Sequence, residues 1–105
     1  MWARAKARMA GLSGAAFIWG AGVHTAQLLH WTGIRERLDV RGIIDRDPQK
    51  WGLTQADRPV ISPEAFFEDA TGAPVIVSSF FAEREIAASL RKAGIHPDRI
   101  VTLYS

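Results

Sequence analysis

The chain has 105 residues, 48% of them apolar and 23% charged, enough for one globular domain near the small end of the range. It has no cysteine, which excludes a disulfide framework and cysteine-ligated zinc and suits a reducing cytoplasm. The formal charge of +2 belongs to one end, since Arg4, Lys6 and Arg8 stand there without an acid and the remainder carries ten bases against eleven acids. The body is therefore not a basic nucleic-acid surface, and no nucleic-acid partner is expected.

Residues 1–14 read as a basic tail with at most a frayed helical turn, ended by Gly11, Ser13 and Gly14. The basic start and the apolar stretch Met9 to Val23 imitate a secretory signal peptide. That stretch is rich in glycine and alanine rather than leucine, and it supplies the first strand that the following pattern requires. Nothing reaches the roughly 18–20 apolar residues of a membrane span, so no membrane contact is expected.

Residues 15–105 read as the domain. Residues 15–19 are continuously apolar, as a central parallel strand must be. Gly20 and Gly22 make a turn, and His24 to Thr32 reads as a helix that buries Ala26, Leu29 and Leu28, with Gly33 as its stop. Ile34 to Asp39 reads as a polar connection. Val40 to Ile44 is a second strand ending at Asp45, and Asp45 to Gly52 is a polar, turn-rich loop. Pro59-Val60-Ile61 suits a short edge strand. Ser62-Pro63-Glu64 is a helix start, with an N-cap serine, proline in the first turn and an acid beside it. That helix runs to about Asp69 and buries Ala65 and Phe66 or Phe67. Val75 to Val77 is another buried strand, closing in Ser78-Ser79. Phe81 to Lys92 is a helix with acids at its start, bases at its end and the apolar pair Ile86 and Leu90. Ile100 to Tyr104 reads as the last strand.

This alternation predicts an α/β fold. It is a small Rossmann-like doubly wound parallel sheet of about five strands in order 3-2-1-4-5, with helices on both faces.

The order strand, glycine turn, helix is what a nucleotide phosphate needs. Gly20 permits a tight turn, Gly22 lets a phosphate approach the backbone, and Val23, His24 and Thr25 open a helix with free N–H groups. Thr25 replaces the small third residue of the usual glycine fingerprint. Asp45 lies at the tip of the second strand, where a carboxylate holds ribose hydroxyls or closes a turn with Asp47 and Pro48. Arg46 beside it leaves room for a 2′-phosphate, so NAD and NADP both stay open. Ser78 and Ser79 end the strand next to the first, at the topological switch point, where hydrogen bonding to a ligand competes with helix capping. No Gly-x-Ser-x-Gly elbow surrounds them, so no nucleophile is indicated. His24 is the only histidine placed to touch a ligand, as a phosphate contact or an acid/base, and a capping or solvent-facing ring competes with that role. His24, His30 and His96 lack metal-ligand spacing, and no metal is expected. Trp19 reads as core. Trp31 and Trp51 read as partly exposed, a mark of an interface with another domain or subunit, including a second copy.

The run Phe17 to Thr25, with Leu28-Leu29 and Gly33-Ile34, resembles a small Rossmann-like domain of bacterial sugar-modification proteins. Gly42 to Gly52, Val60 to Glu64, Val75 to Ser79, Glu85-Ile86 and Ile100 to Tyr104 continue the likeness. Such domains are similar to the C-terminal domain of sugar C-methyltransferases and to domains found beside glycosyltransferases and other polysaccharide-biosynthesis enzymes. A more distant likeness is to the N-terminal domain of sugar O- and N-acyltransferases. The resemblance implies an accessory role beside a catalytic domain, and it points to Gly20, Gly22 and Asp45 as a nucleotide or sugar-nucleotide site. It assigns no catalytic residue, and this sequence has neither the zinc cysteines nor the S-adenosylmethionine module of the methyltransferases.

Three functions follow as expectations. The first is a module binding a nucleotide, a sugar nucleotide or NAD(P) for an enzyme of carbohydrate biosynthesis. The second is a small NAD(P)-dependent oxidoreductase, for which no Tyr-x-x-x-Lys pair is visible. The third is an emptied domain used for protein contact alone.

Overall fold

The computed structural model describes residues 2–105. A six-stranded sheet forms the middle layer, in the order β3-β4-β2-β1-β5-β6. Its strands are β1 (Gly14–Trp19), β2 (Leu38–Ile44), β3 (Thr54–Gln55), β4 (Arg58–Ile61), β5 (Val75–Val77) and β6 (Ile100–Val101). The pairs β1–β2, β1–β5, β2–β4 and β5–β6 are parallel. The expected five-strand order is present, with one addition. The Pro59 strand is not the edge, because the two-residue β3 pairs antiparallel outside it.

The helices are α1 (Trp2–Met9), α2 (Val23–Thr32), α3 (Ile34–Arg37), α4 (Pro63–Phe67) and α5 (Glu83–Lys92). The strands feed two cores, and a register shift between Ala16 and Phe17 against β2 interrupts the simple alternation. Ala16, Ile18, Val40, Ile43 and Ile76 pack with Ala5, Met9, Leu28, Leu29 and Ile34 from α1, α2 and α3. Phe17, Trp19, Ile44, Val75 and Val77 pack with Phe66 of α4 and Leu90 of α5. The sheet is thus covered on both faces, as continuously apolar parallel strands require. Each large aliphatic side chain buried there contributes roughly 1.5–3 kcal/mol.

Several local expectations need correction. The basic segment at the start contains α1, an eight-residue helix whose Ala5 and Met9 are fully buried. Its small apolar stripe gains stability from packing on the domain rather than from local pattern. Residues 34–37 are helical, not a polar connection. In α2 the inward residues are Thr25, Leu28, Leu29 and Thr32, and Ala26 faces out. In α4 only Phe66 is buried, with Ala65 and Phe67 exposed, and the helix ends at Phe67. The last strand stops at Val101, because Leu103 to Ser105 turns inward to a buried carboxylate described below. No helix among the described residues is long and apolar enough to cross a membrane.

Candidate functional site

The parallel strands β1, β2 and β5 all end on one side of the sheet, and the chain leaves β1 there through Gly20-Ala21-Gly22 into α2. The two glycines serve different needs. Gly20 has φ +118°, and a Cβ placed on it would lie 2.9 Å from the Ser78 carbonyl oxygen. The fold itself demands glycine there, since an L side chain is strained at that φ and meets rigid backbone. Gly22 is extended, with φ −131°, and a Cβ added to it meets nothing within 4 Å. Nothing in the fold explains a glycine at 22. The space beside its backbone is open at the first turn of α2.

Asp45, whose role was open between turn and site, closes the turn. One carboxylate oxygen accepts the Ala21 N–H at 2.9 Å and the other accepts the Asp47 N–H at 2.9 Å. The carboxylate is therefore fixed between the tip of β2 and the glycine turn, and each oxygen retains a lone pair for a further donor. The ammonium of Lys50 lies 3.8 Å from it. Arg46 places its guanidinium 5.8 Å from the Trp19 ring centre.

Gly20, Gly22, Asp45, Arg46, Ser78 and Ser79 line one cleft of about 410 Å³. A recess of about 420 Å³ shares Trp19, Arg46 and Ser89 with that cleft and adds Trp51 and Phe67. Trp19 is core as expected, only 5% exposed, yet it lines both spaces. Trp31 and Trp51 are 58% and 39% exposed.

Three candidate residues are spent on internal bonds. His24 has Nδ1 2.6 Å from Ser78 Oγ and Nε2 2.5 Å from Tyr104 Oη, so both ring nitrogens are taken and neither faces a ligand. Ser78 is buried and also lies 2.8 Å from Thr25 Oγ1. Ser79 Oγ accepts the Ala82 N–H at 3.0 Å and so closes the turn that leads into α5. Thr25, in the fingerprint's third place, is fully buried and donates to the Gly20 carbonyl. It fastens the turn to β5 in place of the close helix–strand approach a glycine allows.

Counting protons fixes the direction of this chain of bonds. A carbonyl only accepts, so the single Thr25 proton goes to Gly20. Ser78 then donates to Thr25, and His24 Nδ1–H donates to Ser78. In the neutral imidazole Nε2 accepts the Tyr104 O–H. Burial lowers the His24 pKa from the usual 6.5, with the Glu83 charge acting the other way. Burial also raises the Tyr104 pKa, reinforced by Glu83, and keeps the phenol protonated as a donor. Because the folded pKa lies below 6.5, this contribution to stability is complete above about pH 6.5 and is lost as pH falls through the folded value. Between pH 7.5 and 5.0 the melting temperature of the wild type is expected to fall further than that of His24→Gln. Equal falls would remove His24 as the cause.

Two contributors carried no local signal. Lys50 Nζ donates to the Ala21 carbonyl at 2.9 Å, and Gln55 Nε2 donates to the Gly22 carbonyl at 3.1 Å. No group of three or more His, Cys, Asp or Glu is arranged to hold a metal among the described residues.

Solved structures with a similar fold exist. RSP in complex with β-NADH is 22% identical with a TM-score of 0.59, covering 86% of this chain and 52% of that one. The UDP-D-quinovosamine 4-dehydrogenase of Vibrio fischeri is 20% identical with a TM-score of 0.63, covering 87% and 78%. The fold is Rossmann-like. RSP, a Rex-family repressor, also matches as a complex with β-NAD+ and operator DNA, at 23% identity and a TM-score of 0.61, over 90% of this chain and 52% of that one. The chain spans about half the length of the RSP chains it matches. The expectation of no nucleic-acid partner finds no support in a set that includes an operator complex. No protein-family model and no curated protein matches the chain.

Proposed function

We propose that this chain is a dinucleotide-binding module that takes NAD(H) across the ends of β1, β2 and β5. The observation that carries the reading is Gly22, a glycine that the fold does not need, beside open space at the start of α2. In this reading the pyrophosphate lies against the Gly22 and Val23 N–H groups. The adenosine ribose gives its hydroxyls to the free lone pairs of Asp45. The adenine enters the recess walled by Trp19, Arg46, Trp51 and Phe67, whose aromatic rings suit a flat base. The complexes of RSP with β-NADH and β-NAD+ support the ligand class. The likeness to a UDP-sugar dehydrogenase supports the narrower reading of an accessory to a carbohydrate-biosynthesis enzyme. The exposed Trp31 and Phe81 are surface for a partner domain or a second copy. The cleft assigns no catalytic residue, and the role is binding.

Asp45 cannot swing away from a 2′-phosphate, because two backbone N–H groups hold it. NADH is therefore expected to bind at least about tenfold more tightly than NADPH, a difference of roughly 1.4 kcal/mol. Asp45→Ala should erase that preference. Isothermal titration with NADH, NADPH and UDP-glucose tests this. Binding of UDP-glucose alone would replace the dinucleotide with a sugar nucleotide, and equal affinity for NADH and NADPH would remove Asp45 from the ribose.

A further inference from the structure

The glycine turn is held from behind by side chains of the loop and strand that follow β2. Lys50 donates to the Ala21 carbonyl at 2.9 Å and Gln55 to the Gly22 carbonyl at 3.1 Å. The Ala21 N–H is bound to Asp45, and the Gly22 carbonyl also accepts the Ala26 N–H of α2 at 3.2 Å. A trans peptide is planar, and its C=O and N–H point in opposite directions. The Ala21 carbonyl shares its plane with the Gly22 N–H, and the Gly22 carbonyl shares its plane with the Val23 N–H. Fixing both carbonyls toward Lys50 and Gln55 therefore aims those two N–H groups the other way. Lys50, Gln55, Leu53 and Val60 border a hollow distinct from the cleft of Asp45 and Ser78, and Gly22 lines both.

Charge adds a second effect. Asp45 places a negative carboxylate within hydrogen-bond reach of the turn, where it would repel a phosphate. The Lys50 ammonium sits 3.8 Å from that carboxylate and offsets its field. The same ammonium, bound to the Ala21 carbonyl, polarises the peptide whose N–H faces the anion.

Gln55 reaches Gly22 at a visible conformational cost. The two-residue link between β3 and β4 is Ala56-Asp57, with φ +51° and +63°, a left-handed pair that most hairpins give to Asn-Gly. Asp57 is held there by an ion pair with Arg35 at 2.9 Å. This tight reversal places Gln55 on the strand that runs beside the turn.

We infer that Lys50 and Gln55 are positioning residues of the phosphate site, which aim the Gly22 and Val23 N–H groups at a diphosphate and neutralise the carboxylate beside it. The inference rests on the dinucleotide reading above. It separates ligands that carry the diphosphate from those that do not.

The test compares wild type, Lys50→Met, Lys50→Arg and Gln55→Leu. NADH and ADP-ribose are titrated by calorimetry, adenosine by NMR shift at millimolar concentration, and melting temperature is recorded without ligand. Lys50→Met and Gln55→Leu should each weaken NADH and ADP-ribose by about tenfold or more. Adenosine affinity and the ligand-free melting temperature should not move, and Lys50→Arg should recover most of the loss. Wild-type affinity for NADH and ADP-ribose in both Lys50→Met and Gln55→Leu overturns the inference and leaves the dinucleotide reading standing. Parallel losses for adenosine also overturn it, since they indicate general damage to the site. A wild-type protein that binds neither NADH nor ADP-ribose overturns the dinucleotide reading and this inference together.

Discussion

Gly20→Val should cost about 3 kcal/mol or more and lower the melting temperature by at least about 12 °C. The first contribution is conformational. Gly20 sits at φ +118°, where a β-branched L residue is strained. The second is steric, because the new Cβ would lie 2.9 Å from the Ser78 carbonyl oxygen and the obstacle is backbone. Relief by movement is expensive, since the turn on one side donates from Gly20 N–H to the Ile44 carbonyl at 2.7 Å. On the other side Ser78 N–H is bound to the Trp19 carbonyl at 2.9 Å. Moving either peptide breaks the junction of three parallel strands. Gly22→Val, two residues on, meets none of these obstacles and should stay within about 1 kcal/mol of wild type. Thermal denaturation of the pair checks the contrast, and similar melting temperatures would contradict it.

Glu83→Ala should be comparably severe, about 3–5 kcal/mol. Glu83 opens α5 and is 3% exposed. One carboxylate oxygen accepts the N–H groups of Leu103 at 2.6 Å and Tyr104 at 3.0 Å, and the other accepts Ser105 Oγ at 2.5 Å. Removing it strands two backbone donors around the fully buried Leu103. It also frees Tyr104, the donor to His24. Bonds to a charged acceptor contribute roughly 1.5–3 kcal/mol each, and they are not additive here because they share one group. Glu85→Ala, in the same helical turn but exposed, is the control and should change stability by less than about 0.5 kcal/mol. If Glu83→Ala behaved like Glu85→Ala, the buried carboxylate would not be what holds the C-terminal segment.

This pair of acids also shows what a sequence can carry. Glu83 and Glu85 look alike at the start of a helix, and only the tertiary fold buries one and exposes the other. The alternation of strands and helices and the glycine turn were legible because each is a local pattern, whereas Asp45 was legible in place at the tip of β2 with its use left open. Helix α1 was not, because alanines and bases give a weak apolar stripe that packing completes. Lys50 and Gln55 lie in a stretch that reads only as polar turns, and they reach the glycine turn through long side chains and a strained hairpin. His24 was legible in place and misleading in role. Its position on the turn suggests a ligand contact, yet its ring is consumed by Ser78 and Tyr104.

The most direct measurement is a fluorescence titration with NADH of the wild type and Gly22→Val, using the tryptophans Trp19 and Trp51 that line the recess. Binding at the glycine turn predicts saturable quenching in the wild type. It also predicts no saturation in Gly22→Val over the same range, at an unchanged melting temperature. Equal affinities in the two proteins, or no binding by the wild type, would contradict the assignment of this turn as a dinucleotide site.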